Sequence, residues 1–314
     1  MSEAAPIRIG IDVGGTKIEG IALESTKECG RIRIATPRDD YQATVGAIVA
    51  MIAGLEERIG ATAPVGIGIP GTISPATGLV KNANSVWLIG RPLQRDIETA
   101  LGRHVRIAND ANCFATSEAT DGAAAGAAVV FGAILGTGVG AGIVANGRVL
   151  NGANGIAGEW GHNALPSRAE GERPGPPCYC GRSGCIETYL SGPGMTADHH
   201  DYTGRWESPE QILARSADGD LAAEATLVRY ERRLARALAS IVNVLDPDVI
   251  VLGGGMSNIH RLYANVPTLW TEFVFNRGGE QDPIRTRLVP AAHGDSSGVR
   301  GAAWLWGGAE TSPR

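Results

Sequence analysis

The sequence predicts an α/β protein of two domains, and three observations support that prediction. Its 314 residues correspond to roughly two domains of about 150 residues each. Short β-rich runs alternate with amphipathic helical stretches along the chain. A unit of strand, glycine-rich turn and returning strand occurs twice, about 120 residues apart, and this indicates an internal duplication.

The two duplicated units are predicted from their β-rich runs and the glycines between them. Ile7–Val13 and Ile18–Leu23 are predicted strands, and Gly14–Thr16 predicts the hairpin turn that joins them. In the second unit, Ala128–Leu135 is a predicted strand that runs into the turn Gly136–Gly140 and then returns.

The spacing of apolar residues predicts the other elements. From Tyr41 to Ile59 they recur every three and four positions, so we predict a helix that begins after Asp39 and Asp40 and ends at Gly60. Further predicted elements are the strands Val65–Ile69, His104–Ala108 and Val249–Leu252, the long helix Leu227–Leu245 and the irregular loop Pro166–Pro177.

Composition excludes several classes of protein. With 43% hydrophobic and 19% charged residues, the chain is not expected to be disordered. A net charge of −5 argues against nonspecific binding of nucleic acid. The long uncharged run from Gly122 to Gly147 contains eight glycines, so we interpret it as a buried strand and turn, not a membrane span. No signal-peptide pattern is visible, and we expect a cytoplasmic protein with reduced cysteines.

Three strands end in glycine clusters, at Gly14–Gly15, Gly136–Gly138 and Gly253–Gly255. Backbone N–H groups bind phosphate where no Cβ blocks the approach. Any one cluster alone is more typical of a tight hairpin, but three at strand ends favour phosphate binding. Thr16 and Thr137 would add hydroxyl donors and Lys17 a cation, although no P-loop pattern is present.

Two aspartates follow predicted strands. Asp12 stands directly before the first glycine turn, where a carboxylate beside phosphate implies an intervening Mg²⁺; an aspartate that hydrogen-bonds the turn is the alternative. Asp110 follows another strand, at the edge of a sheet where α/β proteins bind ligands. It is interpreted either as a helix cap or as the base that takes a proton from an attacking hydroxyl, and the two roles are compatible.

Cys178, Cys180 and Cys185, with His162 upstream, supply three thiolates and one imidazole. This is a complete tetrahedral set for a structural Zn²⁺, and a redox pair is the less favoured alternative because C-x-C is not C-x-x-C. Glu159 and Glu187 adjoin the cluster, which would hold both carboxylates in place to accept hydrogen bonds from the hydroxyls of a sugar. Two surface glutamates are the alternative.

Taken together, these motifs resemble those of the ROK sugar kinases, within the actin/hexokinase/Hsp70-like ATPase superfamily. The segments that carry the resemblance are Ile9–Lys17, Gly66–Gly71, Ala108–Asn112, Gly136–Gly142, Gly158–Asn163, Cys178–Glu187, Val251–Gly255 and Gly294–Trp306. The amino-acid sequences of four segments are most similar to those of the bacterial fructokinase/mannokinase group: 36–41, 80–88, 109–127 and 293–306.

The resemblance implies a two-lobed fold with an interlobe cleft. The expected N-terminal lobe is 1–112, completed by a C-terminal helix at about 297–314, and the second lobe is 113–296 with a zinc-binding insertion at 158–187. The implied activity is ATP-dependent phosphorylation of the 6-hydroxyl of fructose, with mannose as a second candidate. Glucokinase or N-acetylhexosamine kinase activity is the alternative. A homodimer is typical of the family.

The resemblance also implies roles for individual residues. Asp110 would be the catalytic base. ATP would be bound by Gly10, Asp12, Gly14, Gly15, Thr16, Lys17, Gly136, Thr137, Gly138, Gly253, Gly254 and Gly255. The sugar would be bound by Gly71, Asn84 (or Asn82 in its place), Asn109, Asp110, Glu159, His162 and Glu187.

Two other classes of protein fit the sequence less well than a kinase does. A ROK-type repressor carries an N-terminal winged helix, and none is expected here because the DVGGT motif begins at Asp12. An actin-like filament protein would leave the cysteine cluster and the paired glutamates without a role. The expected partners are therefore ATP and a hexose, without nucleic acid or a membrane.

Overall fold

The computed structural model describes residues 6–307, except the side chains of Glu170 and Glu280. They form two compact units. Of the described residues, the first unit contains 6–126, Gly142–Ala157 and 292–307, and the second contains Ala127–Ala141 and Gly158–Ala291. Among these residues no helix is both long and apolar enough to cross a bilayer.

The described residues contain strands, α-helices and short 3-10 turns in mixed order. The strands are β1 (Ile7–Val13), β2 (Lys17–Glu24), β3 (Lys27–Ala35), β4 (Val65–Ile69), β5 (Thr72–Ile73), β6 (Val80–Lys81), β7 (Arg106–Asn109), β8 (Val129–Leu135), β9 (Val139–Ala145), β10 (Arg148–Val149), β11 (Val249–Gly253) and β12 (Arg287–Pro290). The helices are α1 (Tyr41–Ile59), α2 (Leu93–Leu101), α3 (Asp110–Thr120), α4 (Glu187–Leu190), α5 (Gly192–Thr203), α6 (Pro209–Ala217), α7 (Leu221–Leu245), α8 (Leu262–Leu269) and α9 (Ser297–Trp304).

Two five-stranded sheets repeat one topology. The first has the order β3-β2-β1-β4-β7 and the second β10-β9-β8-β11-β12. In the first, β1 pairs antiparallel with β2 and parallel with β4, and β4 pairs parallel with β7. In the second, β8, β11 and β12 pair in parallel, and β10 pairs antiparallel with β9. The predicted α/β class and the duplicated strand–turn–strand unit are confirmed.

Helix α1 forms where the sequence predicts it, and its cap residues and apolar face are the predicted ones. The Asp40 side chain accepts from the Ala43 N–H, and Gly60 ends the helix in the left-handed conformation at φ +66°. Its apolar face, including Ile48, Ile52 and Leu55, is buried in the core of the first sheet. Burial of such side chains supplies most of the stability of a helix this size.

Close packing against glycine places α9 in the first unit. A Cβ at Gly10 of β1 would lie 2.1 Å from the Val299 carbonyl oxygen, and one at Gly66 of β4 would lie 1.9 Å from that of Ala302. Any side chain at these positions would force the helix away from the sheet. The predicted C-terminal helix at about 297–314 spans Ser297–Trp304 here, and 308–314 lie outside the described residues.

Candidate functional site

The first glycine turn joins β1 to β2 and leaves its backbone accessible. The Gly14 N–H donates to the Lys17 carbonyl at 2.9 Å, which closes the turn, while Gly15 and Thr16 are exposed. A Cβ at Gly15 would have only Ser85 Oγ nearby, at 3.9 Å. The missing side chain therefore leaves room above the turn, as an approach by phosphate requires.

The cationic side of this turn is organised by a buried carboxylate. Glu19 is 2% exposed and receives Lys17 at 3.3 Å, Arg33 at 2.7 Å and Arg31. Burial opposes its ionisation, but the hydrogen bonds from Arg33 and Lys17 keep the pKa of Glu19 below its usual range. Three cations thus surround the Glu19 carboxylate, and one of them, Arg31, also pairs with Glu28.

Asp12, at the end of β1, is half-buried beside other acids. Burial and the charges of Asp110 and Glu19 raise the pKa of Asp12 to about 7. A divalent cation would remove this repulsion between Asp12 and Asp110, so the two carboxylates fit a Mg²⁺ site. Ser85, Asp12 and Asp110 all lie in the first unit.

Asn109 brings two predicted sugar-binding positions together. Its Nδ2 donates to the Gly71 carbonyl at 3.1 Å, and its Oδ1 accepts from the Ala111 N–H at 2.9 Å. Asn109 is therefore the N-cap of α3, and Asp110 is the first helical residue. Asp110 Oδ1 accepts from the same N–H at 2.8 Å, which fixes its carboxylate at the carboxyl end of β7. Of the two roles predicted for Asp110, the helix cap belongs to Asn109, and the catalytic role of Asp110 stays a prediction.

The segment that carries Asn82 and Asn84 lies against Gly71. A Cβ at Gly71, where φ is +130°, would lie 2.7 Å from the Lys81 carbonyl and 2.9 Å from Ala83 Cα. Both asparagines are exposed, and Asn82 has a left-handed backbone at φ +56°. The first unit thus gathers Gly71, Asn84, Asn109 and Asp110 near the carboxyl ends of β4 and β7, where α/β sheets bind ligands.

The second glycine turn, between β8 and β9, packs against the third cluster. The Gly136 N–H donates to the Gly138 carbonyl at 2.9 Å, and the Gly136 carbonyl accepts from the Gly192 N–H at 2.8 Å. A Cβ at Gly254, where φ is +78°, would lie 2.5 Å from the Leu135 carbonyl. Two of the three predicted phosphate-binding clusters are therefore neighbours at the carboxyl ends of β8 and β11.

A cavity of about 600 Å³ opens beside these two clusters in the second unit. It is lined by Gly136, Thr137, Gly192, Pro193, Thr196, Trp206, Pro209, Glu210, Gly255 and Met256. Its volume is in the range of cavities that hold a nucleotide-sized ligand. Sequence reasoning found Gly136, Thr137 and Gly255 but missed the wall from α5 and α6, because those residues belong to no motif.

The cysteines and the histidine of the second unit come together. Their ligand atoms all lie within 4.8 Å of one another, with Cys178 Sγ 3.6 Å from His162 Nδ1 and Cys180 Sγ 3.6 Å from Cys185 Sγ. Two thiolates on a tetrahedral zinc, each about 2.3 Å from the metal, lie about 3.8 Å apart. The donor set and its spacing therefore fit Zn²⁺.

Tyr179, which sequence reasoning missed, holds the other side of the histidine. Its hydroxyl lies 3.0 Å from His162 Nε2, so both ring nitrogens of His162 have neighbours. An outer partner of this kind fixes the orientation of a metal-binding imidazole. Nδ1 of His162 faces the cysteines and Nε2 faces Tyr179. A sugar could therefore contact only the ring carbons or the backbone of His162.

The glutamates beside the cluster take different positions. Glu159 precedes the 3-10 turn Trp160–His162, and a Cβ at Gly161 of this turn would lie 2.0 Å from the Val139 carbonyl. Glu187 begins α4, and its Oε2 accepts from the Val139 N–H at 2.9 Å. The cysteine loop and the second glycine turn are thus joined through the first residues of β9.

The comparisons with known proteins identify the family. A family model described as the ROK family matches residues 8–309. The chain belongs to the ROK family. It is 43% identical to the N-acetyl-D-glucosamine kinase of Photobacterium profundum over 301 residues, which are 94% of this chain and 98% of that protein. It is 38% identical to the enzyme of the same name from Pasteurella multocida over 310 residues, covering 96% and 99%.

Solved structures of the family have the same fold. The ROK hexokinase from Thermus thermophilus superposes with a TM-score of 0.83 at 30% identity, covering 95% of this chain and 96% of that one. The ROK glucokinase from Streptomyces griseus, in complex with glucose and AMPPNP, superposes with a TM-score of 0.76 at 27% identity, covering 95% and 98%. This ROK protein is a sugar kinase, and its activity implies ATP, Mg²⁺ and a sugar.

The predicted fructose specificity is wrong. The relatives at 37–43% identity are N-acetyl-D-glucosamine kinases, which favours the predicted alternative of an N-acetylhexosamine kinase. The physical reason is that phosphates, Mg²⁺ and sugar hydroxyls are common to the reactions of all hexose kinases, so motifs predicted to bind them do not discriminate between the sugars.

Proposed function

We propose that this protein transfers the γ-phosphate of ATP to the primary hydroxyl of N-acetyl-D-glucosamine. The observation that carries the proposal is the identity of 37–43%, over at least 94% of the chain, to kinases of that sugar. The residues of the first unit support it, because a carboxylate at the start of α3 stands beside Gly71 and Asn109. The proposed lobes are 1–112 with the C-terminal helix, and 113–296.

In this proposal Asp110 is the catalytic base. Its carboxylate takes the proton from the sugar hydroxyl as the oxygen attacks phosphorus. Gly71, Asn84, Asn109, Glu159, His162 and Glu187 bind the sugar. Orientation of the hydroxyl toward phosphorus is the main contribution that such residues make.

The three glycine clusters bind ATP. Gly15–Lys17 and Thr137–Gly138 offer N–H groups and hydroxyls to the phosphates, and Gly253–Gly255 faces the nucleoside. The N–H groups of Gly14 and Gly136 close these turns, and Gly10 is buried in β1 against α9, so these three glycines shape the site without binding phosphate. Bound Mg²⁺ neutralises phosphate charge, and Asp12 is the residue placed to hold it. Zn²⁺ held by His162, Cys178, Cys180 and Cys185 is structural, because four protein ligands leave no open position.

A panel of acceptor sugars tests the proposal. ADP release with ATP is measured on N-acetylglucosamine, N-acetylmannosamine, glucose, mannose and fructose. We expect kcat/KM for N-acetylglucosamine to exceed that for glucose, mannose and fructose by about tenfold or more, since a site built to hydrogen-bond an amide rejects analogues without one. N-acetylmannosamine keeps the amide but carries it in the axial position on carbon 2, so its kcat/KM should also be lower. A higher kcat/KM on glucose or N-acetylmannosamine would reassign the substrate.

A further inference from the structure

One wall of the cavity in the second unit is a short connection without a motif. Gly204–Ser208 joins α5 to α6, and Trp206 from it lines the cavity together with Pro209 and Glu210. Trp206 is 69% exposed, which is unusual for the largest apolar side chain. An exposed tryptophan at a cavity is a candidate ligand contact.

The indole of Trp206 is held as a flat platform. It stacks on the His200 ring with centroids 4.1 Å apart and planes 18° from parallel. His200 belongs to α5, so the stack ties the connection to a helix. A tryptophan that is stacked on one side and exposed to a cavity offers a rigid surface to a second aromatic ring.

Glu207, the residue after Trp206, is held by contacts with His199 and Arg215. Glu207 Oε2 lies 3.0 Å from Nε2 of His199, which is fully buried, and Glu207 Oε1 lies 2.6 Å from Arg215 Nε. His199 Nδ1 in turn lies 2.9 Å from Thr226 Oγ1 on α7. Within the described part of the chain neither Glu207 Oε2 nor His199 Nε2 has a well-aligned hydrogen bond, so each of these buried atoms has the other as its close polar neighbour.

The connection is restrained at both of its ends as well. Gly204 ends α5 with a left-handed backbone at φ +71°, and Ser208 and Gln211 form a capping box at the start of α6. Arg205 donates to Asp220 at 3.1 Å. Five successive residues therefore have defined positions, and this is the local rigidity that a preorganised binding wall needs.

Charge orients a nucleotide in the cavity. Glu210 of α6 lines the cavity, and the hydrogen bond from Ser208 keeps the pKa of Glu210 below its usual range. A carboxylate there repels phosphates and accepts from hydroxyl and amino groups. Gly136 and Thr137 line the same cavity with backbone and a hydroxyl. The phosphates therefore belong beside Gly136 and Thr137, and the nucleoside beside Glu210 and Trp206.

We propose that Trp206 is the stacking surface for the purine base of the nucleotide, and that the buried His199–Glu207 pair positions it. The inference rests on the proposed function for the placement of phosphates at the second glycine turn. Trp206 contacts the ligand, whereas His199, Glu207 and His200 are positioning residues that act through it.

Calorimetric titration with ADP and Mg²⁺ tests the stacking without any sugar. Stacking of one base on an aromatic side chain contributes about 1–3 kcal/mol. We therefore expect Trp206→Ala to raise the Kd for ADP about fivefold or more. Trp206→Phe keeps an aromatic face and should stay within about threefold. Phe275→Ala, which truncates another exposed aromatic residue of the second unit, is the matched control and should leave the Kd unchanged.

The positioning step is tested at Glu207. Glu207→Ala should raise the Kd for ADP several-fold while the KM for N-acetylglucosamine stays unchanged. Glu207→Gln keeps the volume but loses the charge opposite His199 and Arg215, and we expect a smaller rise in Kd, about threefold. Wild-type Kd in both folded variants would overturn the positioning step, and if only the Gln variant folds, its Kd decides.

The purine preference and the proposed function have separate outcomes. Trp206→Ala should lower the ratio of kcat/KM for ATP to that for CTP, because a purine has the larger stacking surface. An unchanged Kd for ADP in Trp206→Ala would overturn the inference even if the enzyme phosphorylates N-acetylglucosamine. A raised Kd would support it even if that sugar is not a substrate, in which case only the proposed function fails.

Discussion

Replacing Glu187 tests how the cysteine loop supports the second glycine turn. Its Oε2 accepts from the N–H of Val139, a buried residue, at 2.9 Å. Alanine would leave that N–H without its acceptor, at a cost of about 1–3 kcal/mol. Because 1.4 kcal/mol is a factor of ten, a turn that shifts to recover this bond should raise the KM for ATP about tenfold in Glu187→Ala.

Glutamine at position 187 distinguishes an effect on the glycine turn from an effect on sugar binding. Its amide oxygen can still accept from the Val139 N–H, so Glu187→Gln should keep the KM for ATP within about threefold of wild type. The carboxylate charge is lost, however, and hydrogen bonds to a charged group are about twice as strong as neutral ones. The KM for N-acetylglucosamine should therefore rise in this variant, although the KM for ATP does not.

Steady-state ADP-release kinetics, with each substrate varied in turn, measures both constants, and thermal melting confirms that the variants are folded. An unchanged KM for ATP in Glu187→Ala would refute the argument from the Val139 contact. So would a Gln variant whose KM for ATP is as high as that of the Ala variant, because the retained acceptor would then have no effect.

Three further predictions concern other parts of the molecule. Asp110→Asn keeps an oxygen for the Ala111 N–H but loses the base, so kcat should fall about 10²–10⁴-fold with little change in the KM for sugar; near-normal kcat in steady-state kinetics would remove the base role. Cys180→Ser should lose stoichiometric zinc by atomic absorption and raise the KM for both substrates; full zinc content would contradict the ligand set. Burial opposes ionisation of Glu172, but hydrogen bonds from Arg236 and Arg233 lower its pKa to about 2. The ionised side chain therefore stabilises the folded state by an amount on the order of 2 kcal/mol. This stabilisation is present above about pH 4.5 and is lost as the pH falls toward 2. In urea unfolding, Glu172→Gln should be less stable than wild type at pH 7 and approach it at pH 3; a constant difference would contradict this.

Local signals in the sequence predict much of the fold and part of the site. The helix from Tyr41 to Ile59 is confirmed because its cap residues and apolar spacing agree. The strand Val65–Ile69 has the predicted bounds, since five apolar or glycine residues end at Pro70-Gly71. The cysteine cluster could be predicted because its ligands are near in sequence, and the structure brings them within 4.8 Å.

Features that depend on distant residues could not be predicted. The Glu187–Val139 contact joins residues 48 positions apart, and no local pattern signals it. Trp206 and the His199–Glu207 pair arise from the packing of α5, α6 and α7, which have ordinary helical sequences. The predicted sugar preference is wrong for a related reason. The preference of a kinase depends on a few pocket side chains, whereas the motifs are predicted to bind features that all hexoses share.

The position of the transferred phosphate tests the central claim most directly. After incubation with ATP, Mg²⁺ and N-acetylglucosamine, the product is examined by phosphorus–proton correlated NMR. We predict coupling of phosphorus to the two protons on carbon 6, which requires attack by the primary hydroxyl. Coupling to the anomeric proton, or release of inorganic phosphate without a sugar phosphate, would contradict the account.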